Sequence, residues 1–167
     1  MFNILVLGGS GFVGRSVCER LVERSGGASG NIVVPSRRPA RAKHIQLLPT
    51  LQVVPADVHD DAQLTRLVTG CDAVINLVAI LHGSEADFQR THVELPRRLA
   101  AACAAAGVRR VVHVSALGAS AQAPSRYLRS KAAGEALLQA AALDLTDRKS
   151  TRLNSSHERL SRMPSSA

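Results

Sequence analysis

Tyr127 and Lys131 stand four residues apart in YLRSK, close to one helical turn, so both side chains would leave the same face of a helix. A phenol beside an ammonium suits acid/base work. Tyrosine ordinarily ionises near pH ~10, and an adjacent cation favours the phenolate. Tyr127 is the single tyrosine of the chain. Upstream, VHVSALGAS supplies Ser115 at what reads as the carboxyl end of a strand, the edge where ligands bind in open parallel sheets. Tyr127, Lys131 and Ser115 are therefore the candidate catalytic residues. Taken alone, so short a motif is equally a helix-start tyrosine beside a surface lysine.

A second pattern concerns phosphate. GGSGFVG at 8–14 spaces Gly8, Gly11 and Gly14 at intervals of three, between an apolar run and a helical pattern. Gly8 permits the tight turn, Gly11 lets a pyrophosphate approach the backbone, and Gly14 lets the helix pack on the sheet. Ser10, Phe12 and Val13 complete the turn, and the amides and positive dipole end of the following helix face the phosphates. About 20 residues past the glycines, a carboxylate would pair with the free ribose hydroxyl of NAD. Here the chain reads PSRRP, and no carboxylate occurs between Glu23 and Asp57. Arg37 and Arg38 occupy that place, and a guanidinium fork matches a phosphate monoester, so NADP (NADPH) is favoured over NAD. Asp57 and Val58, just past a third strand, are placed to meet the adenine edge.

These residues need a sheet to position them. NILVL at 3–7 is a continuous apolar run suited to a strand buried on both faces. Val13, Val17, Cys18, Leu21 and Val22 then recur at helical spacing. Strands follow at 32–34, 51–54 and 73–78. A helix opens at Asp60, where Gln63 completes a capping-box pattern. A long alanine-rich helix is predicted from Phe88 to Ala106, starting or kinking at Pro96 and closed by Gly107. A fifth strand covers 108–116 and a final helix runs from Arg126 to about Ala142. Such alternation predicts an α/β, Rossmann-type doubly wound parallel sheet, ending after the fifth strand and the helix behind it.

The composition, 46% hydrophobic and 20% charged, fits one globular domain. The net charge of +8 comes without clusters of basic and aromatic residues, so no nucleic-acid partner is expected. No transmembrane segment or cleavable leader is read, which predicts a cytoplasmic protein. Cys18, Cys71 and Cys103 are widely spaced among apolar residues and read as reduced core positions. The six histidines lack ligand spacing, and no metal is assigned.

Composition changes at residue 146. Residues 147–167 hold six serines and three sizeable apolar side chains, too few to offset ordering entropy. DRKSTRLNSSH and SRMPSSA also resemble the translation of a sequencing adapter. The expected organisation is an incomplete NAD(P)-binding domain over 1–146 and a non-native or disordered tail over 147–167.

GGSGFVG, ADV, VINLVAIL, VVHVSALGAS and YLRSK occur in the order of the short-chain dehydrogenases of the extended or atypical type (the NAD(P)-dependent epimerase/dehydratase-like group), and the chain resembles that family over essentially all of 1–146. Within the family it is similar to the nucleotide-binding accessory subunit of respiratory complex I and its bacterial relatives. The resemblance implies a bound NADP(H), held for structure in the accessory members, with Leu77, Val78 and Ala79 lining the nucleotide site and Lys131 on the nicotinamide ribose. It implies either an accessory or assembly role linked to complex I or quinone metabolism, peripheral at the inner membrane, or an NADP-dependent sugar-nucleotide epimerase, dehydratase or reductase using Tyr127 and Lys131. The two part at one residue. Leu117 stands where the family's catalytic hydroxyl usually sits, which favours the accessory role, whereas the intact YLRSK favours the enzyme.

Overall fold

A computed structural model describes residues 2–26 and 30–150. Six strands form one parallel sheet in the order β3-β2-β1-β4-β5-β6, the doubly wound order in which the chain reverses direction between β1 and β4. The strands are β1 (Asn3–Leu7), β2 (Asn31–Ser36), β3 (Leu51–Pro55), β4 (Ala73–Asn76), β5 (Arg110–Ala116) and β6 (Asp144–Ser150). Helices α1 (Phe12–Arg24), α2 (Lys43–Gln46), α3 (Asp61–Val68), α4 (Glu85–Phe88), α5 (Leu95–Ala106) and α6 (Arg126–Ala140) connect them.

Strand β1 shows why the sheet is covered on both faces. Its side chains alternate: Leu5 and Leu7 join Leu64, Val74, Leu99 and Val111 in one core, while Val6 joins Cys18, Val34 and Ile45 in the other. Each fully buried aliphatic side chain stabilises the fold by about 1.5–3 kcal/mol. The cysteines are free, and burial pushes the Cys18 and Cys103 thiols up to about 11.

The fold departs from the sequence reading in three places. Asp60 caps α3 by accepting from the Gln63 amide at 2.8 Å, but the Gln63 carboxamide accepts from the Asp57 amide at 3.0 Å rather than returning to Asp60. The predicted long helix begins earlier, at α4, where Ser84 and Asp87 form a complete capping box. It then passes through a π-turn at Gln89–Glu94 before Leu95 and Pro96 open α5, so the irregularity lies before the proline. Finally, the chain adds a sixth strand beyond the last predicted helix. Strand β6 pairs with β5 from Arg110↔Asp144 to Ala116↔Ser150, so the composition change at residue 146 falls inside a strand; residues 151–167 lie outside those described.

Candidate nucleotide-binding site

The carboxyl ends of β1, β2, β4 and β5 share one edge, and the glycine turn sits there at the reversal of strand order. Gly8 has φ +81°, and a Cβ on it would meet the backbone of Leu77 and Val78 at 3.1 Å. Gly14 carries the other constraint: a Cβ there would run into the Gly8 carbonyl oxygen and the Gly9 backbone. The turn is thus a cradle that side chains would fill, which fits a pyrophosphate approaching main chain. Gly11 is the N-cap of α1 and brings no side-chain cap, so the positive end of the helix is directed at the turn.

Two cavities meet at Gly8. The first, about 240 Å³, is walled by Gly8, Gly11, Phe12, Val13 and Gly14, by Leu77 and Ala79 after β4, and by Ser115, Tyr127 and Lys131. The second, about 600 Å³, is lined by Ser10, Ser36, Arg37, Arg38, Arg41, Val58, His59 and Val78. Among the described residues, no acidic side chain lines this second cavity. The sequence-derived residues therefore divide into a glycine–tyrosine–lysine half and an arginine half. Asp57 lines neither cavity; its carboxylate accepts from the His59 amide at 3.0 Å.

Helix α6 brings in Tyr127 and Lys131, the candidate acid/base pair. Ser125 caps it by accepting from the Leu128 amide at 3.0 Å, which places Tyr127 and Lys131 on the first turns beside β5. Lys131 is only 2% exposed and donates from Nζ to the Val114 carbonyl at 2.7 Å. Burial pulls its ammonium down to about 8, partly opposed by Asp147 and Glu135. Burial also pushes the Tyr127 hydroxyl above its ordinary value, so the protein alone does not produce the phenolate expected from an adjacent ammonium. Ser115 is buried, and its hydroxyl donates to Glu135 Oε2 at 2.8 Å. Leu117 is 60% exposed.

Sequence reasoning missed His92, which lies on the π-turn. Its Nε2 accepts from the Ile80 amide at 3.0 Å, and its Nδ1 contacts Ser130 Oγ at 2.8 Å. Burial, then the Lys131 charge, pull this imidazole down to about 4. Asn76 and His113 form a second buried pair, with 3.2 Å between Nδ2 and Nδ1, and the Asn76 side-chain Oδ1 accepts from the Val78 amide. Burial favours the neutral form of both imidazoles; His92 bonds the loop after β4 directly, and His113 reaches it only through Asn76.

The family described as NAD(P)H-binding matches residues 8–159. The chain belongs to that NAD(P)H-binding family. Over 135 residues this NAD(P)H-binding chain is 35% identical to NADH dehydrogenase (ubiquinone) 1 alpha subcomplex subunit 9, mitochondrial, of Mus musculus, covering 78% of the chain and 35% of the mouse protein. It is 33% identical over 129 residues to cinnamoyl-CoA reductase 1 of Oryza sativa subsp. japonica, covering 74% of the chain and 37% of the rice protein. It thus spans about a third of the length of these curated relatives. The fold is that of UDP-glucuronic acid 4-epimerase from Bacillus cereus in complex with NAD, with TM-score 0.73, 20% identity, and coverage of 89% of this chain and 56% of that one. Among the described residues, no helix is long and apolar enough to cross a membrane.

Proposed function

We propose that this NAD(P)H-binding domain belongs to an accessory or assembly protein linked to respiratory complex I or quinone metabolism, peripheral at the inner face of a membrane, in which NADPH is held for structure rather than turnover. The observation that carries this reading is the commitment of the Ser115 hydroxyl to Glu135. A hydroxyl that donates to a buried carboxylate is not available to donate to a substrate carbonyl, and Leu117 carries none. The likeness to a complex I subunit supports the same reading. Arg37 and Arg38, joined by Arg41 around a cavity that no acidic side chain among the described residues lines, support the NADP preference: guanidinium groups would hold the 2′-phosphate there, and Gly8, Gly11 and Gly14 the pyrophosphate. When bound, the nucleotide would supply hydride chemistry.

A second reading is an NADP-dependent epimerase, dehydratase or reductase. Tyr127 and Lys131 share a cavity wall with the glycine turn, and the rice relative is named a reductase. In that case Tyr127 would exchange a proton with the substrate oxygen and Lys131 would bind the nicotinamide ribose. Purifying the full-length protein from its membrane fraction and assaying retained NADPH and carbonyl reduction separates the two. The accessory reading expects retained NADPH, co-purification with a membrane complex and no turnover. Reduction that is abolished in Tyr127→Phe would replace it with the enzyme.

A further inference from the structure

The loop after β4 and the first turns of α6 form facing walls of the cavity that holds Tyr127 and Lys131, and one side chain ties them together. The Ile80 amide donates to His92 Nε2, so that nitrogen carries no proton and Nδ1 must carry it. Nδ1 then donates to Ser130 Oγ at 2.8 Å, and the Ser130 hydroxyl donates to the Tyr127 carbonyl at 2.8 Å. The ring also lies edge-on to Tyr127, with centroids 5.4 Å apart and planes at 83°, and Phe88 sits against both.

The backbone closes the same joint. A Cβ at Gly134 of α6 would collide with the His92 carbonyl oxygen, so α6 seats directly on the π-turn that carries His92. An insertion of this kind re-aims side chains locally, and π-turns are frequent at functional sites. His92 is 2% exposed and reaches partners 12 and 38 residues away. It touches two walls of the cavity without lining it.

We infer that His92 is a positioning residue, which through Ile80 and Ser130 sets the gap between the loop after β4 and the Tyr127–Lys131 turn and thereby the fit of the nicotinamide half of the dinucleotide. The inference rests on the reading of this edge as a dinucleotide site. It assigns His92 no contact with the nucleotide and no proton transfer. The effect falls on the nicotinamide half, because none of Ile80, His92 and Ser130 lines the arginine-lined cavity.

The test compares two ligands on the full-length chain: NADPH, which would fill both cavities, and 2′,5′-ADP, which would fill only the arginine half. His92→Phe keeps an aromatic ring and removes both bonds. Ser130→Ala leaves the Ile80 amide paired and cuts only the link to α6. With net hydrogen bonds near 1 kcal/mol, Ser130→Ala should weaken NADPH about fivefold and His92→Phe about tenfold or more, with 2′,5′-ADP unchanged. If His92→Phe fails to fold, Ser130→Ala carries the test. Equal losses for both ligands, or unchanged NADPH affinity in Ser130→Ala, overturn the positioning role. If the unsubstituted chain binds 2′,5′-ADP and NADPH normally in that case, only this role falls. If it binds neither ligand, the dinucleotide reading falls and takes the role with it.

Discussion

Lys131 donates its ammonium to the carbonyl of Val114 at 2.7 Å, inside the sheet edge rather than into solvent. Desolvation dominates its ionisation, which falls from 10.5 to about 8. Between those two pH values the unfolded chain holds a proton at this position that the folded chain has released, so folding stability from this group rises with pH across the window. The full shift corresponds to about 3 kcal/mol at most. Urea unfolding at intervals from pH 7.5 to 10 should show midpoints rising relative to Lys131→Met, which lacks the group. Parallel curves would mean that the ammonium is hydrated in the folded chain.

His92 and His113 act with the same sign in the acid range. Burial leads the lowering of both, to about 4 and about 3. Below the unfolded value of 6.5 the unfolded chain takes up protons that the folded chain refuses, so stability is lost as pH falls from about 6.5 toward these values. Imidazole NMR signals of both residues should stay at their neutral positions from pH 7.5 to 5.5, while unfolding midpoints drop below pH 6.5. Titration of either signal near pH 6.5 in the folded protein would contradict the burial.

Gly14 tests the turn. A methyl group there points at the Gly8 carbonyl oxygen and at Gly9 Cα, 2.6 Å away. Backbone atoms cannot swing aside as a flexible side chain would. Gly14→Ala should therefore cost about 1–3 kcal/mol by overpacking and displace α1 from the phosphate edge. Chemical unfolding measures the first effect, and loss of NADPH-dependent thermal stabilisation the second. Gly26→Ala is a useful contrast: its Cβ would have nothing within 4 Å, so the cost there should come only from the left-handed φ of +64°.

Much of this architecture was legible because its signals are local. The apolar run of β1, the glycines of the turn and the Asp60 cap declare themselves within a few residues, and their elements form where expected. Strand β6 was not legible because DLTDRKS lacks the apolar run of the inner strands; among the described residues it is held by one neighbour, and its pairing with β5 supplies what its composition does not. The π-turn was hidden for a different reason: the period of apolar residues marks a buried face, not the bond pattern along it. Ser115 was visible as a hydroxyl at the sheet edge, but its partner Glu135 lies 20 residues on. His92 shows no ligand spacing along the sequence, and only the folded chain brings Ile80 and Ser130 to its two nitrogens.

The arginine half of the edge yields the sharpest ligand prediction. Arg37 and Arg38 follow β2 and line a cavity with Ser36 and Arg41, and among the described residues no carboxylate lines it to pair with a ribose hydroxyl. A 2′-phosphate would gain charge-assisted bonds from these groups, whereas NADH would gain none of them. Nicotinamide fluorescence titrations should therefore show NADPH binding at least about tenfold tighter than NADH, a difference of about 1.4 kcal/mol. Replacing both residues, Arg37→Ala with Arg38→Ala, should erase that margin chiefly by weakening NADPH, leaving NADH within about twofold because its own contacts lie at the glycine turn. Equal affinities in the unsubstituted protein would show that these arginines are solvated and do not read the phosphate. If the double variant weakens both nucleotides alike, the arginines act through the general field of the cavity rather than through a phosphate contact.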